Sequence, residues 1–239
     1  QLITEDGKPK IVVLSALSGS TNTLLAISES LIAQNQEEAK AKADTLRAHY
    51  DTFLTDLYQT PAGLGKGQAI VEKEFAFIDS LIATTPYTLK QEKEMVALGE
   101  LLSTQIFEAY LQEEGVNSTL LSALDFMVID ADNEPIMSEI STKLAATLEP
   151  VKDKQIFITQ GFICRNPAGE VDNLKRGGSD YSASLISAAA NASVCEIWTD
   201  IDGMHNNDPR VVENTKPIEQ LSFDEAAELA YFGAKILHP

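Results

Sequence analysis

The chain opens on a short β-branched apolar run, KIVVLSAL at Lys10 to Leu17, the pattern of a strand covered on both faces as in a parallel sheet. GSTNTLLAISESLIA follows: Gly19 and Ser20 turn the chain, then Leu24, Leu25, Ile27 and Leu31 recur at helical spacing. From about Gln34 to Gly115, polar and apolar positions alternate with a period of about 3.6 residues, broken at TPAGLGKG and TTPYT. That stretch reads as several helices and no strand, a helical lobe. Sheet character returns with STLLSALDFMVID, a turn at ADNEP, a helical stretch near Ser138 to Leu148, and QIFITQGFIC. A helix over roughly Asp180 to Ala190 comes next, then a strand CEIWTD, a loop IDGMHNNDPRVV and a last helix from Ser222, where Ser222 and Glu225 have capping-box spacing. Strands alternating with helices imply α/β layers around a mostly parallel sheet.

Composition narrows the function. At 239 residues and 44% hydrophobic, the chain can bury one good core, or a core with an accessory lobe. A formal net charge of -18 and the lack of any Lys/Arg cluster exclude nucleic acid and anionic lipid as partners. No uninterrupted apolar run approaches the ~20 residues that span a bilayer, and the N-terminus lacks a secretory pattern. Cys164 and Cys195 lie in apolar runs without CxxC spacing, so both are expected as reduced core thiols, which points to the cytoplasm. Gln1 in place of Met and an apolar stop at AKILHP read as a fragment.

In sheets of this kind ligands gather at the carboxyl ends of strands. Polar residues stand out at Ser15 to Thr21, Phe162 to Asp180 and Thr199 to Arg210, and at Glu100 in ALGELLST. At RGGSD the glycines let backbone approach a ligand, the helix start offers free N–H groups to an anion, Arg176 can grip a carboxylate, and Asp180 can receive an ammonium. A zwitterion such as an amino acid suits that set. A plain glycine turn, with Ser179 as N-cap and Asp180 against the helix dipole, suits it equally. TDIDG followed by NNDPR fits either a nucleotide site, with Arg210 toward phosphate, or an Asp-rich turn ended by proline. GLGKG at Gly63 to Gly67 fails the phosphate-loop pattern and reads as a surface loop between helices. His49, His205 and His238 have no metal spacing, so no protein metal ligands are expected.

Read in order, VVLSALSGSTN, ALGELLST, QGFICRN, LKRGGSDYSASL, EIWTDIDGMHNNDPRVV and ELAYFGAKILHP resemble the aspartokinase catalytic domain of the amino-acid kinase superfamily. The resemblance covers nearly the whole chain. It implies a three-layer αβα sandwich with a mostly parallel central sheet, and transfer of the γ-phosphoryl group of ATP, with Mg²⁺, to the β-carboxylate of L-aspartate. It places Ser15, Thr21, Glu100, Arg176, Gly177, Gly178 and Ser179 on aspartate. Thr199, Asp200, His205, Arg210, Lys235 and Ile236 fall on the nucleotide, and Arg176, Asp180 and Lys235 on the chemistry. His205 stands where many relatives have Tyr, and Lys175 replaces a glycine usual before the arginine. The resemblance also implies a strand with a KFGGTS phosphate block before Gln1, and ACT domains after Pro239 through which homo-oligomers form. Without that block, weak ligand binding and slow turnover are expected. A sister kinase of glutamate, acetylglutamate or UMP, and a non-catalytic amino-acid-binding module, are the rival readings.

Overall fold

The computed structural model describes residues 3–174, 178–199, 203–207 and 211–231. β1 (Lys10–Leu14), β2 (Ser118–Leu121) and β3 (Ile156–Gln160) form a parallel sheet in the order β1-β3-β2. Lys10 lies opposite Ile156 and Leu14 opposite Gln160, so β1 and β3 end level with each other. The strand period of two then sorts their side chains onto two covered faces. Val12, Leu14, Ile156 and Ile158 pack with Phe107 and Leu111 of α4 (Leu89–Glu113). Ile11, Val13 and Phe157 pack with Ile140 and Leu144 of α5 (Met137–Leu148) and Ile186 of α6 (Gly178–Ala189). Helices on both faces of a parallel sheet make the αβα sandwich, as the alternation of elements implied.

The helices between β1 and β2 are set by their ends. α1 (Ser20–Ile32) starts at Gly19, whose φ of 82° is open to glycine at no steric cost. α2 (Gln36–Leu57) is capped by Asn35, whose side chain accepts the Glu38 N–H at 3.1 Å, and carries Glu37 and Glu38 where the helix dipole favours them. α3 (Pro61–Ile82) has Thr60 as N-cap and Pro61 in its first turn. α4 has the Thr88–Gln91 capping box. Leu24, Tyr50, Phe75 and Leu102, one from each helix, lie in a single buried cluster. Each fully buried side chain of this size contributes roughly 1.5–3 kcal/mol.

Four expectations need correction. GLGKG is helical, inside the first turns of α3, because Gly63 and Gly67 are where other elements come close. An added Cβ on Gly67 would sit 2.5 Å from the Tyr58 ring, and one on Gly63 would meet the Glu113 carboxylate. The stretch 195–199 is not a strand: it has no ladder partner among the described residues, and Trp198 is 69% exposed. Cys195 is exposed, while Cys164 is buried. The antiparallel pair of β4 (Ile163–Arg165) with β5 (Val171–Asn173) was not expected at all. Its turn is made by Asn166, whose side-chain oxygen accepts the N–H groups of Ala168 and Glu170 at 3.0 Å each, and by Gly169 at φ 75°. The last helix, α7 (Phe223–Tyr231), begins as read, with the Ser222 N–H and hydroxyl both 2.8 Å from the Glu225 carboxylate.

The glycines of α3 separate two effects of the same substitution. Nothing lies within 4 Å of an added Cβ on Gly65, so Gly65→Ala is expected to stabilise by about 0.5–1 kcal/mol through helix propensity alone. Gly67→Ala is expected to destabilise by about 1–3 kcal/mol, since the Tyr58 hydroxyl is tied to the Ile106 carbonyl at 2.8 Å and the ring cannot step aside. Urea denaturation of the two variants checks this. Equal stabilisation by both would contradict the packing.

Candidate functional site

The level carboxyl ends of β1 and β3 form the edge on which the predicted residues meet. The chain leaves β1 through Ser15 and Ala16, and α4 crosses close beside this turn because Gly99 has no side chain. A Cβ there would lie 2.8 Å from that of Ala16 and 3.9 Å from the Thr21 hydroxyl. The close approach brings the next residue, Glu100, into reach, and its Oε1 accepts the Ala16 N–H at 3.3 Å. Ser103, one turn on, donates to the Ser15 carbonyl at 2.7 Å. α4 therefore fixes the β1 exit at two points.

Glu100 is the unusual group. It is 3% exposed and its Oε2 has no hydrogen-bond partner among the described residues. Burial pushes its carboxyl up to about 7, against which the Ala16 N–H acts in part. Below it the Thr104 hydroxyl donates to the Glu100 carbonyl at 2.8 Å, and Gln160 at the end of β3 donates to Thr104 at 2.7 Å while accepting the Ala123 N–H at 2.8 Å. This network joins the ends of β2, β3 and α4. At the first turn of α1, Ser20 is fully buried and its hydroxyl lies 3.0 Å from that of Tyr50. Burial chiefly pushes the Tyr50 hydroxyl up to about 12, with the Glu100 charge adding to it.

The start of α6 closes on the same edge. Gly161 donates to the Leu14 carbonyl at 2.9 Å, and a Cβ on it would lie 2.5 Å from the Ser179 hydroxyl. Phe162, at φ 65°, donates its N–H to the buried Ser182 hydroxyl at 2.8 Å, and Ser182 donates to the Gly178 carbonyl at 2.7 Å. Gly178 in turn leaves room for the Phe162 ring. α6 begins at Gly178, so Ser179 lies inside its first turn and is not an N-cap. Asp180 is next, partly buried, and desolvation raises its carboxyl above the usual range.

Ser15, Thr21, Glu100, Gly178, Ser179 and Asp180 thus share one edge. Arg176, Gly177, Asp200, Arg210, Lys235 and Ile236 lie outside the described residues. Thr199 is exposed in the irregular stretch after α6, and His205 has its Nδ1 2.9 Å from the Thr215 hydroxyl. Sequence reasoning missed Gly99, Gly161, Ser182 and Tyr50, which shape the edge through backbone approaches and hydrogen bonds; the small residues at Gly99 and Gly161 were the available signal. Among the described residues no cluster of three or more His, Cys, Asp or Glu is placed to hold a metal ion, and no helix is long and apolar enough to cross a membrane.

A parallel sheet whose carboxyl edge gathers the N-termini of two helices and a half-satisfied buried carboxylate is an α/β small-molecule site, suited to a ligand that carries both an anion and a cation. The chain belongs to the amino acid kinase family, whose model matches residues 1–239. It is 34% identical over 241 residues to lysine-sensitive aspartokinase 3 of Escherichia coli (strain K12), covering 100% of this chain and 53% of that protein. It is 33% identical over 237 residues to the bifunctional aspartokinase/homoserine dehydrogenase of Buchnera aphidicola subsp. Acyrthosiphon pisum, covering 95% of this chain and 29% of the relative. The solved structure of E. coli aspartokinase III in complex with aspartate and ADP (R-state) superposes with a TM-score of 0.82 at 35% identity, over 96% of this chain and 51% of that one. The chain spans about half the length of the first of these relatives.

The charge on Glu100 is expected to cost stability when no ligand is present. Its carboxyl moves from 4.5 unfolded to about 7 folded, so stability held below pH 4.5 is lost as the pH rises through 7. Glu100→Gln keeps an acceptor for Ala16 and cannot ionise. It is expected to stabilise the ligand-free protein on the order of 2–3 kcal/mol at pH 8, with the difference closing toward pH 5. Denaturation of both proteins across this range gives the answer, and a difference independent of pH would contradict it.

Proposed function

We propose that residues 1–239 are the catalytic domain of an aspartate kinase, which transfers the γ-phosphoryl group of ATP to the β-carboxylate of L-aspartate to give 4-phospho-L-aspartate. The observation that carries this reading is the free Oε2 of Glu100: buried without a partner, it supplies the acceptor that an α-ammonium requires. The helix N-termini of α1 and α6 on the same edge favour the ligand's carboxylates. The relatives named above are aspartokinases, and one was solved with aspartate and ADP. A lone phosphate ligand would leave the buried Glu100 opposed to it.

In this reading Glu100 holds the ammonium and Arg176 the α-carboxylate, with Ser15, Thr21, Gly177, Gly178 and Ser179 around the substrate. Thr199, Asp200, His205, Arg210, Lys235 and Ile236 hold the nucleotide. Magnesium enters as MgATP, carried chiefly by the phosphates themselves. The acceptor is already a carboxylate at neutral pH, so no general base is needed. The work is to align two anions in line, with Arg176 and Asp180 at the substrate, and to balance charge in a loose transition state through Arg210 and Lys235. Assembly as a homo-oligomer through ACT domains outside this stretch, and a cytoplasmic location, belong to the same proposal.

The full-length protein is expected to form an acyl phosphate from ATP and L-aspartate, trapped by hydroxylamine as the hydroxamate. Product from glutamate and none from aspartate would favour the sister-kinase reading. Binding of amino acid without any product would favour a non-catalytic module. Arg176→Ala is expected to raise the KM for aspartate on the order of tenfold or more, and that for ATP far less, since a two-point carboxylate grip is lost on one ligand only. The reverse pattern would exchange the two subsites.

A further inference from the structure

The two halves of this edge are carried by different pieces of chain. Glu100 belongs to α4, whereas Gly178, Ser179 and Asp180 open α6, which follows the β4–β5 hairpin in sequence. The strand β4 side of the hairpin is tied to α6 through Phe162 and Ser182. The hairpin's base is closed by the Leu174 N–H on the Phe162 carbonyl at 2.7 Å, and the Phe162 N–H is held by Ser182 of α6 at 2.8 Å. What fastens the hairpin to α4 is an ion pair between Lys93 and Asp172.

Asp172 is 4% exposed, and its Oδ1 also accepts the Asn173 N–H at 2.8 Å. Opposite it in the ladder is Cys164, whose thiol burial pushes up to about 12 with help from the Asp172 charge; among the described residues Lys93 is the cation paired with Asp172. Lys93 and Glu100 are two helical turns apart, on one face of α4, about 10 Å along its axis. A second pair, Lys90 with Glu170 at 3.1 Å, joins the same helix to the same hairpin, but both side chains are at least 40% exposed. Exposed pairs of this kind contribute little. The Lys93–Asp172 pair, with its carboxylate buried and its lysine partly buried, is the one that can fix a distance.

We propose that Lys93 and Asp172 are positioning residues for the amino-acid pocket: their ion pair locks the β4–β5 hairpin to α4, and so sets the separation between Glu100 and the first turn of α6. The inference rests on the assignment of this edge to the amino-acid substrate. The two changes that break the pair are not equivalent. Lys93→Met leaves a buried carboxylate uncompensated, whereas Asp172→Asn leaves a lysine that can extend to water. Asp172→Asn is therefore the milder probe, and Lys93→Arg keeps the pair.

The test is made in the full-length protein with L-aspartate and MgATP. Lys93→Met and Asp172→Asn are each expected to raise the KM for aspartate on the order of tenfold, with the KM for ATP within about twofold of wild type. Lys93→Arg is expected to restore the aspartate KM, and Lys90→Met to leave it unchanged. An unaltered aspartate KM in both breaking variants overturns the proposal. So does a rise in both KM values in step with lost thermal stability, the mark of a merely structural pair. Should wild-type protein phosphorylate no aspartate, the assignment of the pocket falls by itself, and hydrogen exchange decides the positioning separately. Amides of 171–174 and 178–182 are expected to exchange faster in Asp172→Asn while those of α1 do not, and unchanged exchange there overturns it.

Discussion

A carboxylate kept from water with one of its two oxygens unmatched is the constraint around which the carboxyl edge is arranged. An unpaired buried charge is costly, and proteins ordinarily avoid it by protonation or by supplying a cation. Glu100 has neither a cation among its described contacts nor a second donor. Its surroundings are nevertheless over-determined: Ala16, Ser103, Thr104 and Gln160 hold the backbone and the one satisfied oxygen in place. Turning the carboxylate away would give up the Ala16 N–H. Rigid support of an unsatisfied group is how a site stays complementary to a ligand that is not always there.

Much of the architecture was legible because its signals are local. The apolar runs at KIVVL and IFITQ have to be covered on both faces, and helices of α4 on one side and of α5 and α6 on the other cover them. The Ser222–Glu225 spacing announces the last helix from four residues. What escaped was tertiary. GLGKG has the composition of a loop, yet its glycines serve a helix that lies tight against Tyr58 and Glu113, a fact written in those partners and not in the segment. CEIWTD has strand composition, but a strand exists only where another chain segment pairs with it, and the described residues offer none.

The site divides along the same line. Ser15, Thr21 and Ser179 drew notice because polar residues at strand ends carry their own chemical signature, while the expected role of Glu100, inside α4, came with the resemblance of ALGELLST. Gly99, Gly161 and Ser182 were not, since they act by letting backbones approach or by tying one backbone to another. Lys93 and Asp172 sit in unremarkable sequence, and only the fold makes them partners.

The register of the sheet also bears on how the chain reaches this state. β1 lies beside β3, Lys10 against Ile156, while everything that separates them up to β2 is helical and made of near-neighbour contacts. Loop closure delays such distant pairings, whereas helices form from contacts already at hand. During synthesis KIVVL emerges well before β3 and waits, its apolar strand without the β3 neighbour it finally has, until β3 is made. The four helices that follow can associate in the meantime around Leu24, Tyr50, Phe75 and Leu102. Between β1 and β3, the sheet, and with it this part of the pocket's edge, is then completed after the helices that separate its strands.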